Sequence, residues 1–174
     1  MMLDNEFHIR PLGEDDWEAF KTLRLHALRS EPRVFSRRYE DEAGLSDAEW
    51  RAMAGNADPE RCIFGLFAGS EMIGLTAIFT DWDDPTKKTA VLAMSFLLSP
   101  YRGRGLSRLF YETRLDWARA RGSITRVRVS HRRSNDASRR ANQRYGFRHV
   151  TAVDRLWPDG TTEPDVSYEL ILER

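Results

Sequence analysis

Two glycines lie in a short polar turn between an apolar stretch and an amphipathic one. The turn reads Ser-Pro-Tyr-Arg-Gly-Arg-Gly-Leu-Ser over residues 99–107, with Gly103 and Gly105 in its second half. Glycine permits positive φ and close approach of the backbone, so successive N–H groups can converge on an anion while the helix dipole adds attraction. The pattern predicts a site for phosphate oxygens, to which the Ser107 hydroxyl can add a donor.

The turn does not match the common nucleotide-binding loops. It is neither G-x-x-x-x-G-K-[ST] nor G-x-G-x-x-G, and no acidic residue suited to a ribose follows about twenty positions later. ATPase and dinucleotide-binding functions are therefore disfavoured.

Charge is balanced over the whole chain but concentrated locally. The 27 basic and 27 acidic residues cancel, yet residues 102–148 hold 14 arginines and only three acids. The flanking segments are acidic, with net charges of −7 over residues 1–101 and −4 over residues 149–174. A basic block around a glycine turn suits a multiply phosphorylated small ligand, although arginines on solvated faces would give the same composition.

A second group of polar side chains begins thirty residues after Gly105. Asn135, Ser138, Asn142 and Tyr145 are spaced at i, i+3, i+7 and i+10, which places them on one face of a helix. A wholly polar face turned inward is unusual in a core helix and indicates a site. The alternative is an exposed helix whose two alanines face inward.

Together these patterns resemble the signatures of the GNAT acetyltransferase superfamily. Residues 102–107 are similar to its Q/R-x-x-G-x-G/A pyrophosphate loop, except that Ser107 replaces the final Gly or Ala. Asn135-Asp-Ala-Ser138, followed by Gly146-Phe147, is similar to its second signature. The opening Ile9-Arg10-Pro11-Leu12 is also typical of the superfamily, and the two signatures together span about residues 89–150.

The resemblance implies that the chain binds acetyl-CoA, or a related acyl-CoA, as acyl donor and needs no metal. The pyrophosphate would be bound by the backbone of Arg102, Gly103, Arg104, Gly105, Leu106 and Ser107. The preceding strand would separate from its neighbour and bind the pantetheine arm through the backbone of Phe96, Leu97 and Leu98. The same arm would be contacted by Asn135, Ser138 and Asn142.

Acyl transfer from a thioester to an amine needs an acid for the departing thiolate. Many superfamily members have a tyrosine seven residues after the motif asparagine, where this chain has Asn142. Ser138 is the first candidate acid, because some relatives that acetylate ribosomal proteins have a serine there. Tyr145, on the same helix face, is the second candidate, and a water molecule is the third.

The reaction also needs a base for the amine. Many relatives carry a glutamate on the strand before the loop, but residues 89–98 contain no acid. His131, at the end of the following strand, is the candidate base, because imidazole titrates near neutral pH; alternatively it braces a turn. Further candidates lie in a charged loop at Asp81, Asp83 and Asp84.

The acceptor would be held by segments that vary within the superfamily, namely residues 35–42, 81–88 and 157–164. Glu40, Asp41 and Glu42 favour an amine or polyamine-like acceptor, although an exposed helix end would look the same. Trp82 either contacts the acceptor or plugs the loop against the sheet.

Hydrophobic periodicity and turn residues indicate the elements that position these groups. Helices are expected to begin near Asp15, Ser46, Leu106 and Asp136. Strands are expected over residues 7–10, 62–68, 72–79, 90–98, 126–130, 147–157 and 166–172. The order βααβββαβαββ predicts an α/β domain of the α+β type over residues 1–174, with a mixed, mostly antiparallel central sheet flanked by helices.

Composition excludes several other classes. With 174 residues and 41% hydrophobic side chains, the chain can form one compact domain, and the single Cys62 allows no internal disulfide. The four histidines lack metal-ligand spacing. No apolar run of about 18 residues and no basic-apolar leader is present, so we expect a cytoplasmic protein without a membrane partner.

The sequence therefore predicts an acetyl-CoA-dependent N-acetyltransferase. Its acceptor would be the primary amine of a small molecule or of a peptide or protein N-terminus, with direct transfer in a ternary complex. The alternative is a catalytically silent acyl-CoA-binding sensor, because the motif tyrosine and the strand glutamate are absent. Nucleic acid is not an expected partner, since the basic block carries no recognised motif. The final strands could pair two copies into a homodimer.

Overall fold

Residues 6–173 are described by a computed structural model, which has seven β-strands and five α-helices in that range. In chain order these are β1 (Phe7–Pro11), α1 (Trp17–Ser30), α2 (Tyr39–Ala43), α3 (Asp47–Ala54), β2 (Arg61–Ala68), β3 (Glu71–Thr80), β4 (Thr89–Leu97), α4 (Ser107–Ala120), β5 (Arg126–Arg132), α5 (Asp136–Arg144), β6 (Arg148–Leu156) and β7 (Thr162–Ile171). Single 3₁₀ turns at Glu14–Asp16 and Ser99–Tyr101 precede α1 and follow β4.

The predicted fold class is confirmed, with one additional element. The short helix α2 has five residues, which is too few for a helical period to show in the sequence. The order is therefore βαααβββαβαββ. Strand β5 also extends two residues further than predicted, so His131 lies inside the strand, where it pairs with Val166 of β7.

All seven strands form one sheet, in the order β1-β2-β3-β4-β5-β7-β6. Every neighbouring pair is antiparallel except β4 and β5, which are parallel. A parallel pair needs a crossover connection, and α4 supplies it. The sheet is thus an antiparallel structure with one parallel join near its centre.

Each face of the sheet has its own apolar core. On one face α1 and α3 bury Phe20 and Trp50 together with Leu75 of β3. On the other face α4 buries Tyr111 and Leu115 against strands on both sides of the parallel join. Because both faces are covered, β2 and β3 are apolar over almost their whole length.

Local signals in the sequence fix several element ends. Ser46 accepts a hydrogen bond from the Glu49 N–H at 3.2 Å, and Glu49 accepts one from the Ser46 N–H at 2.8 Å, so α3 begins with a capping box. Gly146 ends α5 with φ +83°, as expected for a glycine after a helix. These groups hold the start and end of the helices that flank the site.

Candidate active site

The sheet opens between β4 and β5. The two strands pair at only three positions, where residues 89–91 face residues 126–128. Beyond these pairs β4 continues along β3 to Leu97, and β5 continues along β7 to Arg132. Both strands therefore stay ordered while the space between them widens, as the family resemblance implied. We call this space the gap.

A β-bulge interrupts β4 inside the gap. Thr76 is the only residue of β3 between the partners of Ala93 and Phe96, so Met94 and Ser95 together oppose one residue. Met94 has φ +60°, a left-handed conformation that costs a non-glycine residue about 1–3 kcal/mol. Bulges and strained residues of this kind are concentrated beside active sites.

Among the three residues predicted to bind the pantetheine arm by their backbone, Leu97 is the best placed. The Leu98 N–H donates to the Ile73 carbonyl oxygen at 2.9 Å, which excludes a ligand contact through that N–H. The backbone groups of successive strand residues point to opposite sides. Because Leu98 points to β3, the N–H and C=O of Leu97 point away from β3 and toward the gap. Its carbonyl oxygen accepts from Arg102 Nε at 2.8 Å, and its N–H remains for a ligand. Phe96 pairs with Leu75 and buries its side chain.

The glycine turn follows directly from the end of β4. Gly103 and Gly105 have φ +75° and +77°, and no other atom lies within 4 Å of the place where a Cβ would stand. The N–H groups of residues 103–107 donate to no other residue in the part of the chain that the structure describes. An open turn with five free donors at the start of α4 fits a pyrophosphate.

The two arginine side chains of this turn tie it to acids in other parts of the chain. Arg102 pairs with Glu31, just after α1, at 3.0 Å, and Arg104 pairs with Glu6 at 3.7 Å. Arg104 also lies 4.8 Å from the ring centroid of Phe7. Leu106 is buried beside Phe110. The ion pairs engage both arginine side chains, whereas the backbone N–H groups of the turn have no partner among the described residues.

The basic block is largely neutralised within the fold. Eight of the fourteen arginines in residues 102–148 form ion pairs with described carboxylates: Arg102, Arg104, Arg108, Arg119, Arg126, Arg128, Arg132 and Arg139. Much of the local excess in the sequence is thus balanced by acids that are distant along the chain.

The polar face of α5 turns partly inward. Asn135 is the N-cap, and its Oδ1 accepts from the Ser138 N–H at 3.1 Å. Asn142 is fully buried, where its Oδ1 accepts from the Tyr111 hydroxyl at 2.5 Å. This burial excludes the predicted direct contact of Asn142 with a cofactor. Its Nδ2 has no partner among the described residues, so the amide links α5 to α4 at the cost of one unpaired donor.

Tyr145, the residue that follows α5, packs against Tyr111 of α4. The two rings are stacked, with centroids 4.3 Å apart and an interplanar angle of 8°. Burial raises the pKa of both hydroxyls above the ordinary value, so both stay protonated at neutral pH. The role of Tyr111 was not predicted, because it looks like one more apolar position of α4 in the sequence. Only its proximity to Asn142 reveals it.

His131 is buried on the face of the sheet that carries α4 and α5. It shares this face with Val127 and Val129, since side chains alternate along β5. Its Nδ1 lies 2.7 Å from the Arg132 carbonyl oxygen, which can only accept, so Nδ1 carries the hydrogen. In the neutral ring Nε2 then holds the lone pair; this atom is buried and has no hydrogen-bond partner among the described residues. The ring also stacks on Tyr168.

The aspartates of residues 81–88 are used within the protein. Asp81 pairs with Arg128 at 3.3 Å, and Asp84 accepts from the Thr86 and Lys88 N–H groups at 2.9 and 3.1 Å. Hydrogen bonds from its own loop lower the pKa of Asp84. The loop precedes β4 and lies at the start of that strand, where β4 and β5 still pair. Asp81, Asp83 and Asp84 are therefore far from the gap and poorly placed as bases. Trp82 is 70% exposed and stacks on Phe79 at 4.4 Å.

The loop between α1 and α2 crosses from the glycine turn to the β6–β7 turn. Glu31 pairs with Arg102, while Arg33 accepts from Arg132 through its carbonyl oxygen at 3.5 Å and pairs with Asp159 at 3.8 Å. Because Arg102 follows β4 and Arg132 ends β5, this loop spans the open end of the gap. It forms one wall of any acceptor site there.

A cavity of about 570 Å³ lies beside this loop. Its walls include three exposed arginines, one acid, one aromatic ring and the β6–β7 turn, contributed by Arg29, Arg37, Arg38, Glu40, Tyr39 and Pro158. Glu42 is not part of this surface, since it accepts two 2.7 Å hydrogen bonds from the buried Arg24. Of the acids expected to hold the acceptor, Glu40 lines this cavity, where three arginines give an excess of positive charge.

Cys62 and the other titratable groups give no second reaction centre. Cys62 is 8% exposed, and burial raises the pKa of its thiol to about 11, so it is not a nucleophile at neutral pH.

Within residues 6–173 no group of three or more His, Cys, Asp or Glu side chains is arranged to hold a metal ion. No helix in that range is long and apolar enough to cross a membrane.

The family comparison agrees with this geometry. The model of the Acetyltransferase (GNAT) family matches residues 18–147, which include the gap, the glycine turn and α5. No curated protein sequence matches the chain.

Solved structures share the fold at low sequence identity. One is a GNAT-family acetyltransferase of Streptococcus pneumoniae, with TM-score 0.84 and 19% identity, covering 96% of this chain and 100% of that one. A Salmonella typhimurium acetyl transferase that modifies the N-terminal serine of a ribosomal subunit protein has TM-score 0.75 and 18% identity, covering 98% and 97%. The yncA protein of Salmonella typhimurium, solved with its cofactor acetyl-CoA, has TM-score 0.80 and 17% identity, covering 98% and 96%.

We expect Gly105→Ala to weaken acetyl-CoA binding by about tenfold or more. A side chain at φ +77° is strained by about 1–2 kcal/mol, and a shift that relieves it moves the N–H groups that face the pyrophosphate. The measurement is titration calorimetry, with thermal unfolding as a check on folding. Gly69→Ala is the matched control, because Gly69 has φ +59° and equally open surroundings in the β2–β3 turn. Equal affinity in both variants would remove the glycine turn from the binding site.

Proposed function

The chain belongs to the Acetyltransferase (GNAT) family, and on that premise we propose that it moves the acetyl group of acetyl-CoA directly to a primary amine in a ternary complex. The observation that carries the proposal is the meeting of the gap with the glycine turn. Five free N–H groups stand at the end of a strand whose Leu97 N–H is also free. One domain, residues 1–174, carries the whole reaction.

These backbone groups fit acetyl-CoA. The N–H groups of residues 103–107 suit pyrophosphate oxygens, and the Leu97 N–H suits an amide carbonyl of the pantetheine arm. Asn135 keeps its Nδ2 for the same arm while its Oδ1 caps α5. Acetyl-CoA supplies a thioester carbonyl that an amine can attack, and the protein supplies position, a base and an acid.

Ser138 is our proposed acid, with Tyr145 as the alternative. Ser138 is in the first turn of α5 and Tyr145 follows its last residue, so the two hydroxyls come from opposite ends of the helix. Ser138 lies in the first turn of α5 next to the cap, and is partly exposed. Tyr145 is held protonated by its burial against Tyr111. Either hydroxyl can donate a proton to the departing thiolate.

His131 is our proposed base. The Arg132 carbonyl fixes the hydrogen on Nδ1, which leaves the Nε2 lone pair to accept the ammonium proton directly or through one water. Its place on β5, across the gap from β4, supports this role. Two of the three acidic alternatives in residues 81–88 are engaged within the protein, Asp81 by an ion pair and Asp84 by loop hydrogen bonds.

We propose that the acceptor is a peptide or protein N-terminus with acidic residues close behind the amine. The cavity beside the open end of the gap is lined by Arg29, Arg37 and Arg38 against the single acid Glu40. Such a surface attracts carboxylates and repels polyamines. The Salmonella typhimurium relative that modifies a ribosomal protein N-terminus supports this acceptor class.

A homodimer through β6 is compatible with this arrangement. β6 is an edge strand, all nine of its residues are exposed, and they include Val153 at 63% and Leu156 at 68%. An edge of this kind can pair with a second copy. The gap is formed within one chain, so the proposed reaction does not depend on the pairing.

Thiol release from acetyl-CoA is the test of the activity. We expect turnover with peptides whose second and third residues are acidic, at a lower KM than with matched basic peptides, because the cavity is positively charged. Arg37→Glu combined with Arg38→Glu should raise this KM about tenfold or more and leave kcat near its original value.

Arg119→Glu, near the far end of α4, is a charge-reversal control away from the cavity and should leave KM unchanged. A preference for basic peptides or polyamines would contradict the acceptor proposal. Acetyl-CoA binding without turnover on amino acids, polyamines, aminoglycosides or peptide N-termini would instead favour the sensor.

The acid is tested by comparing Ser138→Ala with Tyr145→Phe. Removing the proton donor should lower kcat by about 10²-fold or more at saturating acetyl-CoA, since general acids contribute 10²–10⁴-fold. We expect this loss in Ser138→Ala and a much smaller one in Tyr145→Phe. The opposite ranking would assign the acid to Tyr145, and full activity in both would leave water as the donor.

The base is tested by the pH dependence of His131→Gln. Glutamine keeps a side-chain donor for the Arg132 carbonyl but cannot accept a proton. We expect the rise of kcat/KM with pH that reports a titrating base to disappear in the variant. An unchanged pH profile would show that His131 only braces the end of β5.

A further inference from the structure

Helix α4 carries a buried cation that faces no carboxylate within residues 6–173. Arg114 is 2% exposed; its Nε donates to the Phe110 carbonyl oxygen at 3.0 Å and its Nη1 donates to Ser95 Oγ at 2.9 Å. The two other buried arginines of the described chain, Arg24 and Arg132, each pair with a carboxylate. Arg114 therefore differs from both in having a neutral hydroxyl as its side-chain partner.

An uncompensated charge of this kind is costly to bury. Burial lowers the pKa of Arg114 to about 10, which still leaves the guanidinium charged at neutral pH. The nearest aromatic support is Tyr111, whose ring centroid lies 5.1 Å away. A cation held in the interior without an anion indicates that an anion is expected in its neighbourhood during function.

The bulge in β4 directs the partner of Arg114 into the gap. Leu92, before the bulge, packs in the core under α4, whereas Phe96, after it, packs in the core under α1. The extra residue has shifted the alternation of the strand by one. Ser95 consequently lies on the α4 side, where it is exposed at a point that β5 no longer covers.

The shorter of two contacts of Thr76 favours an arrangement that leaves the Ser95 proton free. Thr76 Oγ1 lies 2.9 Å from Ser95 Oγ, where either hydroxyl can be the donor, and 3.5 Å from the Ala93 carbonyl oxygen, so donation to the serine is the better of the two bonds that Thr76 can make. Ser95 Oγ then accepts from both Thr76 and Arg114. Its own O–H points to neither, and can be donated to a group in the gap.

We propose that Ser95 is a catalytic residue whose hydroxyl, polarised by the positioning residue Arg114, donates a hydrogen bond to the sulfur of CoA as negative charge develops there. This inference rests on the proposed function, because it needs the thioester to lie in the gap. It assigns a specific task to a charge that the fold otherwise carries at a cost.

The step balances without any further reactant. The amine nitrogen forms a bond to the acetyl carbon, the C–S bond breaks, and its electron pair goes to sulfur. The amine proton goes to the base, and the thiolate takes a proton from the acid before CoA leaves. Ser95 keeps its proton throughout and stabilises the thiolate by a hydrogen bond to a charged acceptor.

The thiol of CoA bound to the purified protein reports this interaction directly. Its ionisation can be followed by the ultraviolet absorbance of the thiolate across a pH titration of the complex. We expect the acid dissociation constant of the bound thiol to be about tenfold larger in the native protein than in Ser95→Ala. Acetyl-CoA, which has no ionisable thiol, should bind both proteins equally well by calorimetry.

Matched variants separate this role from folding. Ser95→Thr keeps the hydroxyl and should restore most of the effect, while Ser130→Ala removes an exposed serine from the opposite face of β5 and should change nothing. Arg114→Met should reproduce Ser95→Ala in the thiol titration. His131, Tyr111 and Tyr145 lie on the same side of the sheet as Ser95. The thiol titration is therefore repeated in His131→Gln, to separate the effect of Ser95 from that of the histidine.

The outcomes distinguish the two proposals. A bound thiol that ionises alike in the native protein and Ser95→Ala would overturn the role of Ser95 while leaving the acetyltransferase intact. Failure of the native protein to bind either CoA or acetyl-CoA would overturn the proposed function itself. An effect in Ser95→Ala that Ser95→Thr does not restore would show a structural role only.

Discussion

Backbone N–H and C=O groups need partners, and the pairing of β4 with β5 supplies them for only three residues. The site depends on this interruption. β3 and β7 hold the two strands from outside, so the strands keep their order after they separate. The exposed strand edge then meets a turn whose five N–H groups are equally free. A ligand that carries amide carbonyls along one part and phosphate oxygens at the other end satisfies both sets of donors.

Much of this arrangement could be predicted from local signals. The glycine turn, the Ser46 capping box and the end of α5 at Gly146 depend on residues whose conformational preferences are strong and short in range. The bulge at Met94 has no such signal, because methionine is an ordinary strand residue and its type does not favour the φ of +60° that it adopts. The contact of Tyr111 with Asn142 joins positions 31 residues apart, which helical spacing cannot reveal. The sequence therefore predicted the conformation of the glycine turn better than the side-chain contacts around the gap.

Arginine occurs in four distinct settings in this fold. Arg102 and Arg104 tie the glycine turn to Glu31 and Glu6. Arg132, 2% exposed, joins the end of β5 to the β6–β7 turn through Asp159 at 2.9 Å and through Glu163. Hydrogen bonds from Thr161 and Arg132 hold the pKa of Asp159 at about 2, so this connection persists at every pH above the acid range. Arg114 alone faces inward without an acid, and Arg29, Arg37 and Arg38 line the cavity at the open end of the gap.

The bulge adds one residue to β4 and so shifts the alternation of its side chains for the rest of the strand. Every side chain after Met94 faces the side opposite to the one that strict alternation would give it, so Phe96 fills the core under α1 and Ser95 faces the gap. Any substitution in this stretch changes one contact, whereas loss of a single residue would exchange the polar lining of the gap with the apolar core. The second half of β4 therefore depends on its length as well as on its individual residues.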